Sequence, residues 1–440
     1  MKLNFGKIIL LSTFVATTLY FLMFMIFPSN SDYYQCNEFF VGKLVFNLDY
    51  YIPISCDLEL YMLGVNDFGS IIEFDYNYQT RPLYILYIKT FYEFLKIFVE
   101  NSIILNFLSF LIGHILIVSS SIFLFFKSLD LDTNPKKLFL LNIITSLIIL
   151  NPIIKFGLFD ASHQTLTILQ FSISFYFLRK KIDSYKSIFI WSLVLGVLSQ
   201  ANMTFMISFI FLIFNKYKKF DFSFKKLSKL VIAILILIAP RAIWNFYITS
   251  QGFVPYNAAT QYWIQFIWIK DFILAGYENV NYDLQGGEYY CMSIPLFFRC
   301  YLIDFLNSLL YLSLPIFVFL INLYLLRNNK KFKNYFKDLI FIFFVLFCFW
   351  AFIGWYPPLR FNLYSLGYLI TFTLAIQILY LPNKATLFFC ISTLFTYYLS
   401  LTHWNNLDVI DLNYGVVGSV IILFIFIFKT YQSDKQSTFS

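Results

Sequence analysis

The sequence predicts an all-α polytopic membrane protein with about 12 transmembrane helices (11–13) and one more helix lying in the plane of the outer leaflet. Three observations carry that expectation. Hydrophobic residues make up 60% of the 440-residue chain and charged residues only 13%, with a mean hydropathy of +0.71. A soluble domain is about 45–50% apolar and about 25% charged. Apolar runs of membrane-spanning length recur along the chain, and the basic residues alternate between the loops they leave. Disorder, a disulfide-rich secreted scaffold and nucleic-acid binding are excluded by the same figures, although the net charge is +8.

A helix needs about 20 mostly apolar residues to cross the hydrocarbon core. Runs that meet or approach this are 8–27, 102–126, 138–154, 161–178, 187–200, 203–215, 229–248, 301–326, 338–355, 361–381, 385–401 and 414–428. The first is too long for the core of a signal peptide, and Ser29-Asn30-Ser31-Asp32 makes a poor cleavage site, so a retained helix is expected. All of residues 1–440 then form a single integral membrane domain.

Charge orients the spans. Lys2, Lys7, the lysines around 127–137, 180–186, 216–229 and 330–337, and the last three lysines fall on one side. With Arg179 and Arg327 they make 23 of the 32 basic residues. Of the 24 acidic residues, 18 fall on the other side. The positive-inside rule therefore puts both termini in the cytoplasm. Residues 28–100 and 249–300 become two long outer segments.

Residues 82–100 are apolar enough to resemble another span, but Lys89, Glu93, Lys96 and Glu100 are spaced four, three and four apart. That spacing places them on one helical face as i,i+4 pairs. Mid-bilayer charges would cost roughly 2.5–3.5 kcal/mol each. A helix along the outer interface avoids this cost.

The cysteines agree with this sidedness. Cys36 and Cys56 lie in the first outer segment and Cys291 and Cys300 in the second, so an oxidising compartment would permit the pairs Cys36–Cys56 and Cys291–Cys300. Free thiols are the alternative. His114, His163 and His403 are dispersed, and each is expected as a structural polar residue rather than a ligand.

Candidate chemistry concentrates in the first outer segment, which is rich in carboxylates, including Asp32, Glu73 and Asp75. Asp32 follows the first span directly, so a rigid helix fixes its depth. Low-dielectric walls would raise its pKa and suit it to a general base.

The run Pro28-Ser-Asn-Ser-Asp32-Tyr33-Tyr34, followed by Thr80-Arg81-Pro82-Leu83-Tyr84, resembles the start of bacterial GT-C-type membrane glycosyltransferases. These are relatives of the protein O-mannosyltransferases and the lipid A aminoarabinose transferase. Ala239-Pro240-Arg241-Ala-Ile-Trp244-Asn245 is similar to a family stretch that leaves a later span, with Trp244 standing where the family usually has Arg. Pro357-Pro358-Leu359-Arg360-Phe361 is similar to a late Arg-Tyr element.

The resemblance implies a GT-C-like fold in a bacterial inner membrane. It implies inverting transfer from a polyprenyl-phosphate sugar donor to a lipid, glycan or protein acceptor on the outer face. Asp32 would be the catalytic base. Arg81, Arg241 and Arg360 would meet phosphate, and Glu73, Asp75 and Asp160 would orient substrate. No cofactor is implied with certainty; a divalent metal is compatible. A non-enzymatic lipid or polysaccharide translocase, or a glycan polymerase or ligase, is the alternative class.

Overall fold

The computed structural model describes residues 5–26, 39–43, 49–52, 57–73, 77–129, 140–142, 144–145, 163–180, 182, 184–216, 224–256, 319–320, 322–353 and 358–380. These residues are helical, apart from one small hairpin and the connecting turns. The helices are α1 (Phe5–Ile26), α2 (Asp57–Asn66), α3 (Ser70–Glu73), α4 (Pro82–Leu95), α5 (Ser102–Lys127), α6 (Leu166–Arg179), α7 (Tyr185–Leu198), α8 (Phe205–Lys216), α9 (Phe224–Ser250), α10 (Lys330–Ile353) and α11 (Pro358–Tyr380). Short 3₁₀ turns at Asn77–Thr80 and His163–Thr165 precede α4 and α6.

The described residues agree with the all-α expectation, with one small hairpin added. Strands β1 (Phe39–Lys43) and β2 (Asp49–Ile52) pair antiparallel, with Phe39 opposite Ile52 and Lys43 opposite Asp49, and an irregularity between Phe40 and Gly42. A segment of four or five residues is too short for its alternation to stand out from the surrounding apolar sequence.

The helix 82–100 is also shorter than its apolar run. Pro82 occupies the first turn, where its missing N–H costs nothing, and the helix ends at Leu95. Its amphipathic pattern is as the spacing requires: Tyr84, Ile85 and Ile88 are buried, while Glu93, Lys96 and Glu100 are exposed. The half-buried Lys89 donates from Nζ to the Asn66 carbonyl at 3.3 Å.

Helix α5 is the hub of the bundle. It packs against α1, α4 and α6, and α6 in turn packs against α8 and α10. Aromatic rings fill the centre: Phe125 lies 4.3 Å from Phe372 and 5.0 Å from Phe175 by centroid, and Phe171 stacks on Phe372 at 5.2 Å. Hydroxyls within these apolar helices turn back on their own backbone, as Ser109, Ser119 and Ser121 do on the carbonyls of Leu105, Ile115 and Ile117. That local bond lets a serine be buried without a partner on another helix.

Among the described residues two stretches, Ile104–Lys127 and Lys226–Ser250, are long and apolar enough to cross a membrane. The expected runs 187–200 and 203–215 correspond to α7 and α8, which have 14 and 12 residues, about 21 and 18 Å at about 1.5 Å per residue, and the polar turn 199–204 divides them.

Helix α9 joins the bundle mainly along α7. Gly196 makes the approach close: a Cβ there would stand 2.4 Å from the Leu237 carbonyl oxygen and 3.1 Å from Pro240 Cδ. Pro240 has no N–H, so the carbonyl one turn earlier loses its helical donor. This close contact lies one residue before Arg241 and beside the turn that ends α7, so it sets the geometry of the site below.

Candidate functional site

The 3₁₀ turn Asn77–Thr80 is the point on which distant segments converge. Arg241 donates from Nη1 to the Thr80 carbonyl at 2.7 Å, and Trp244 donates from Nε1 to the Gln79 carbonyl at 2.8 Å. The Gln79 side chain is buried and donates to the Ile72 carbonyl at 3.0 Å. Its Oε1 accepts the Tyr256 N–H. Thus 70–84 and 239–256 form one unit, although some 160 residues separate them in sequence.

Arg81 leaves this turn to reach a tyrosine–histidine pair. Its Nη1 donates to Tyr61 Oη at 2.9 Å, and Tyr61 Oη stands 2.8 Å from His163 Nδ1. A guanidinium can only donate, so the phenol oxygen accepts from Arg81, and the direction of the Tyr61–His163 bond follows the imidazole tautomer. A second pair lies alongside: Tyr84 Oη is 2.8 Å from Nε2 of the fully buried His114. The two tyrosine rings meet edge to face at 5.2 Å, and the Arg81 guanidinium lies 6.0 Å from the Tyr78 ring centroid.

The turn between α7 and α8 closes another side. Its Gln200 carbonyl accepts the Leu83 N–H at 3.3 Å, and Asn202 donates from Nδ2 to the His163 carbonyl at 3.3 Å. Asn202 Oδ1 also receives the Thr204 N–H and hydroxyl, and Ser199 donates to the Gly196 carbonyl. Ser199, Gln200, Asn202 and Thr204 are buried, and Leu83 and His163 are half-buried. The Gln200 carboxamide is the exception in the turn, since neither its Nε2 nor its Oε1 has a hydrogen-bond partner among the described residues. Leaving such a group unsatisfied costs roughly 1–3 kcal/mol.

Counted along the helix axes, the cluster stands about 18–20 Å from the basic ends of four helices. The intervals run from Lys127 to His114 on α5, Arg179 to Leu166 on α6, Lys186 to Leu198 on α7 and Lys229 to Arg241 on α9.

Of the residues expected to serve the site, the structure brings Arg81 and Arg241 to the same turn. Glu73 is exposed at the end of α3, next to Ile72 whose carbonyl holds Gln79. Arg360 lies in the first turn of α11, and its side chain falls outside the described residues. Asp32, Asp75 and Asp160 lie outside them as well, as do Cys36, Cys56, Cys291 and Cys300. Sequence reasoning missed Tyr61, Gln79 and Gln200, and it expected His163 as a structural polar residue rather than a ligand. The one available hint was positional: His163 sits at the same end of its span as Arg81 and Arg241 sit of theirs.

Among the described residues no group of three or more His, Cys, Asp or Glu could hold a metal ion. No protein-family model matches the chain, and no curated protein or solved structure matches it either.

Proposed function

We propose that the chain is a polytopic inner-membrane glycosyltransferase that moves a sugar from a polyprenyl-phosphate donor to a lipid, glycan or protein acceptor on the outer face, with inversion. The observation that carries this reading is the meeting of Arg81 and Arg241 at the turn 77–80. The two segments were singled out separately for their likeness to GT-C enzymes, and a shared site is what a joint role in phosphate recognition requires. Arginine suits that role because its planar fork can bond a phosphate through two parallel N–H donors.

The membrane part of the reading is supported by α9. Only 11% of its apolar window is buried, and Ile243 and Phe246 are 68% and 76% exposed. An apolar face of that length facing water would be a severe association hazard, whereas lipid covers it without cost.

In the proposed reaction an acceptor hydroxyl loses its proton to Asp32 as its oxygen attacks the anomeric carbon. The bond from that carbon to the phosphate oxygen breaks, and the phosphate leaves with its electron pair toward the arginines. Arg360, Glu73, Asp75 and Asp160 remain candidates for orienting substrate. A divalent metal is compatible with the scheme.

Purified protein incubated with polyprenyl-phosphate sugars should transfer sugar to an acceptor from a membrane extract, and the assay run with chelator reports any metal requirement. Asp32→Asn should lower the rate by roughly 10²–10⁴-fold, the usual contribution of a general base. A variant with full activity would move the base to Glu73, Asp75 or Asp160. Donor binding with no transfer would favour the translocase alternative.

A further inference from the structure

We propose that the ends of α7, α8 and α9 form a headgroup site for an anionic glycerophospholipid of the inner leaflet. The site goes beyond glycosyl transfer and rests on the membrane reading alone.

Charge is unevenly spread along this chain. Residues 179–229 hold ten basic residues against two acidic ones, Asp183 and Asp221. That surplus equals the formal net charge of +8 for the whole chain. Arg179 pairs with Asp338 of α10 at 3.2 Å, so the rest of the surplus is carried by lysines.

Folding gathers this charge from three helices onto one ring. Tyr185 opens α7, and its ring centroid lies 3.7 Å from the Lys229 ammonium of α9 and 5.0 Å from the Lys216 ammonium that ends α8. Asn215, next to Lys216, donates from Nδ2 to the Phe177 and Lys180 carbonyls at 2.6 and 2.8 Å, which ties the end of α8 to the end of α6. Helices α7 and α9 run parallel, since Tyr185 meets Lys229 at one end and Gly196 meets Leu237 and Pro240 further along. Their first turns therefore stand side by side, and the exposed Lys186 belongs to the same patch.

A tyrosine face attracts an ammonium through its quadrupole. Here it holds two ammoniums from different helices within about 9 Å of each other, inside the roughly 10 Å over which salt screens charge. An anion placed at this patch relieves their repulsion. Its position selects the anion. The positive-inside rule puts this end of the bundle at the cytoplasmic face. Toward the bilayer from the lysines, Val231 and Leu235 of α9 and Ile190 and Leu193 of α7 are exposed. A soluble phosphate compound leaves those side chains uncovered. A lipid phosphate meets the lysines while its acyl chains cover them.

The test titrates detergent-purified protein with fluorescent short-chain phosphatidylglycerol. Wild type should bind it saturably, with phosphatidylcholine and glycerol phosphate each competing at least about 10-fold less well. Lys216→Gln/Lys229→Gln should weaken binding about 10- to 30-fold, the loss for two lysines at a headgroup. Lys216→Arg/Lys229→Arg keeps the charge and should bind within about 3-fold of wild type. Lys330→Gln/Lys331→Gln removes two exposed lysines from the start of α10, and should leave binding within about 2-fold. Should the first Gln pair fail to fold, Lys229→Gln alone should weaken binding about 5-fold.

Equal losses in the two Gln pairs would overturn the site, making the attraction a diffuse property of a basic surface. Glycerol phosphate that competes as well as the lipid would overturn the lipid assignment in favour of a soluble anion. Phosphatidylcholine that competes equally would overturn the role of charge. Sugar transfer assayed in parallel separates the two readings. Wild type that binds the lipid but transfers no sugar counts against glycosyl transfer alone, and transfer without lipid binding counts against this site alone.

Discussion

Helices α5 and α9 have nearly the same length and apolar character, yet they are used in opposite ways. In α5, 61% of the apolar window is buried, and the helix carries buried His114, Ser109, Ser119 and Ser121. In α9 the figure is 11%, and its outer face is Leu235, Ile238, Ile243 and Phe246. Composition measures what a helix can tolerate around it. It does not measure which helices surround it. What separates the two is the placement of polar side chains: α5 buries Ser, Gly and His along its middle, while α9 is apolar there and meets the turn 77–80 through Arg241 and Trp244 in its C-terminal half.

The sharpest way to break this comparison is a charge on the outward face of α9. Ile238→Arg should cost roughly 2.5–3.5 kcal/mol if lipid covers that face, seen as reduced insertion or a lower melting point in native membranes. A surface facing water would absorb the same change within about 0.5 kcal/mol. A neutral result would therefore remove the lipid-facing assignment.

Two glycines sharpen it further. Gly196→Ala puts a Cβ 2.4 Å from a backbone oxygen of α9, which cannot rotate away, so helix displacement at roughly 1–3 kcal/mol is expected, with loss of activity alongside. Gly113→Ala on α5 meets the tip of Ile88 at 3.0 Å and the Tyr87 ring edge at 3.2 Å. These are side-chain atoms with room to give, so a cost under about 1 kcal/mol is expected. Melting curves of the two variants should differ in that order.

An effect of similar size is alkaline. Burial pushes the Tyr87 phenol well above its ordinary value, and its hydroxyl donates to the Gly113 carbonyl at 2.8 Å. The folded state therefore favours the neutral form. Stability from this group is fully present below pH of about 10, the unfolded value, and declines as pH rises beyond it. Tyr87→Phe should lower stability at neutral pH by about 1 kcal/mol and flatten this part of the alkaline decline.

The bundle was legible in sequence wherever charge bounds an apolar run. The span expected at 102–126 is α5 almost residue for residue, because Asn101 and Lys127 end it chemically. The break between α7 and α8 was legible too, since the apolar runs 187–200 and 203–215 part where Gln200 and Asn202 form the turn. Arg81 and Arg241 were singled out because each lies in a stretch that resembles a family motif. Tyr61, His163 and Gln200 belong to none, and only folding brings residues 20 to 120 apart against Arg81. A single polar residue in an apolar run reads the same whether it is buried by chance or by use.

Arg241 and Trp244 are fastened to the main chain at positions 79 and 80, not to the side chains there. A peptide oxygen survives any replacement of the residue that bears it. Over evolutionary time the two halves of this joint would drift unequally, with Arg241 and Trp244 constrained and Thr80 tolerant of exchange. Pairwise covariation would then be silent at the contact that unites the two segments. A set of homologous sequences would show it only as one-sided constancy.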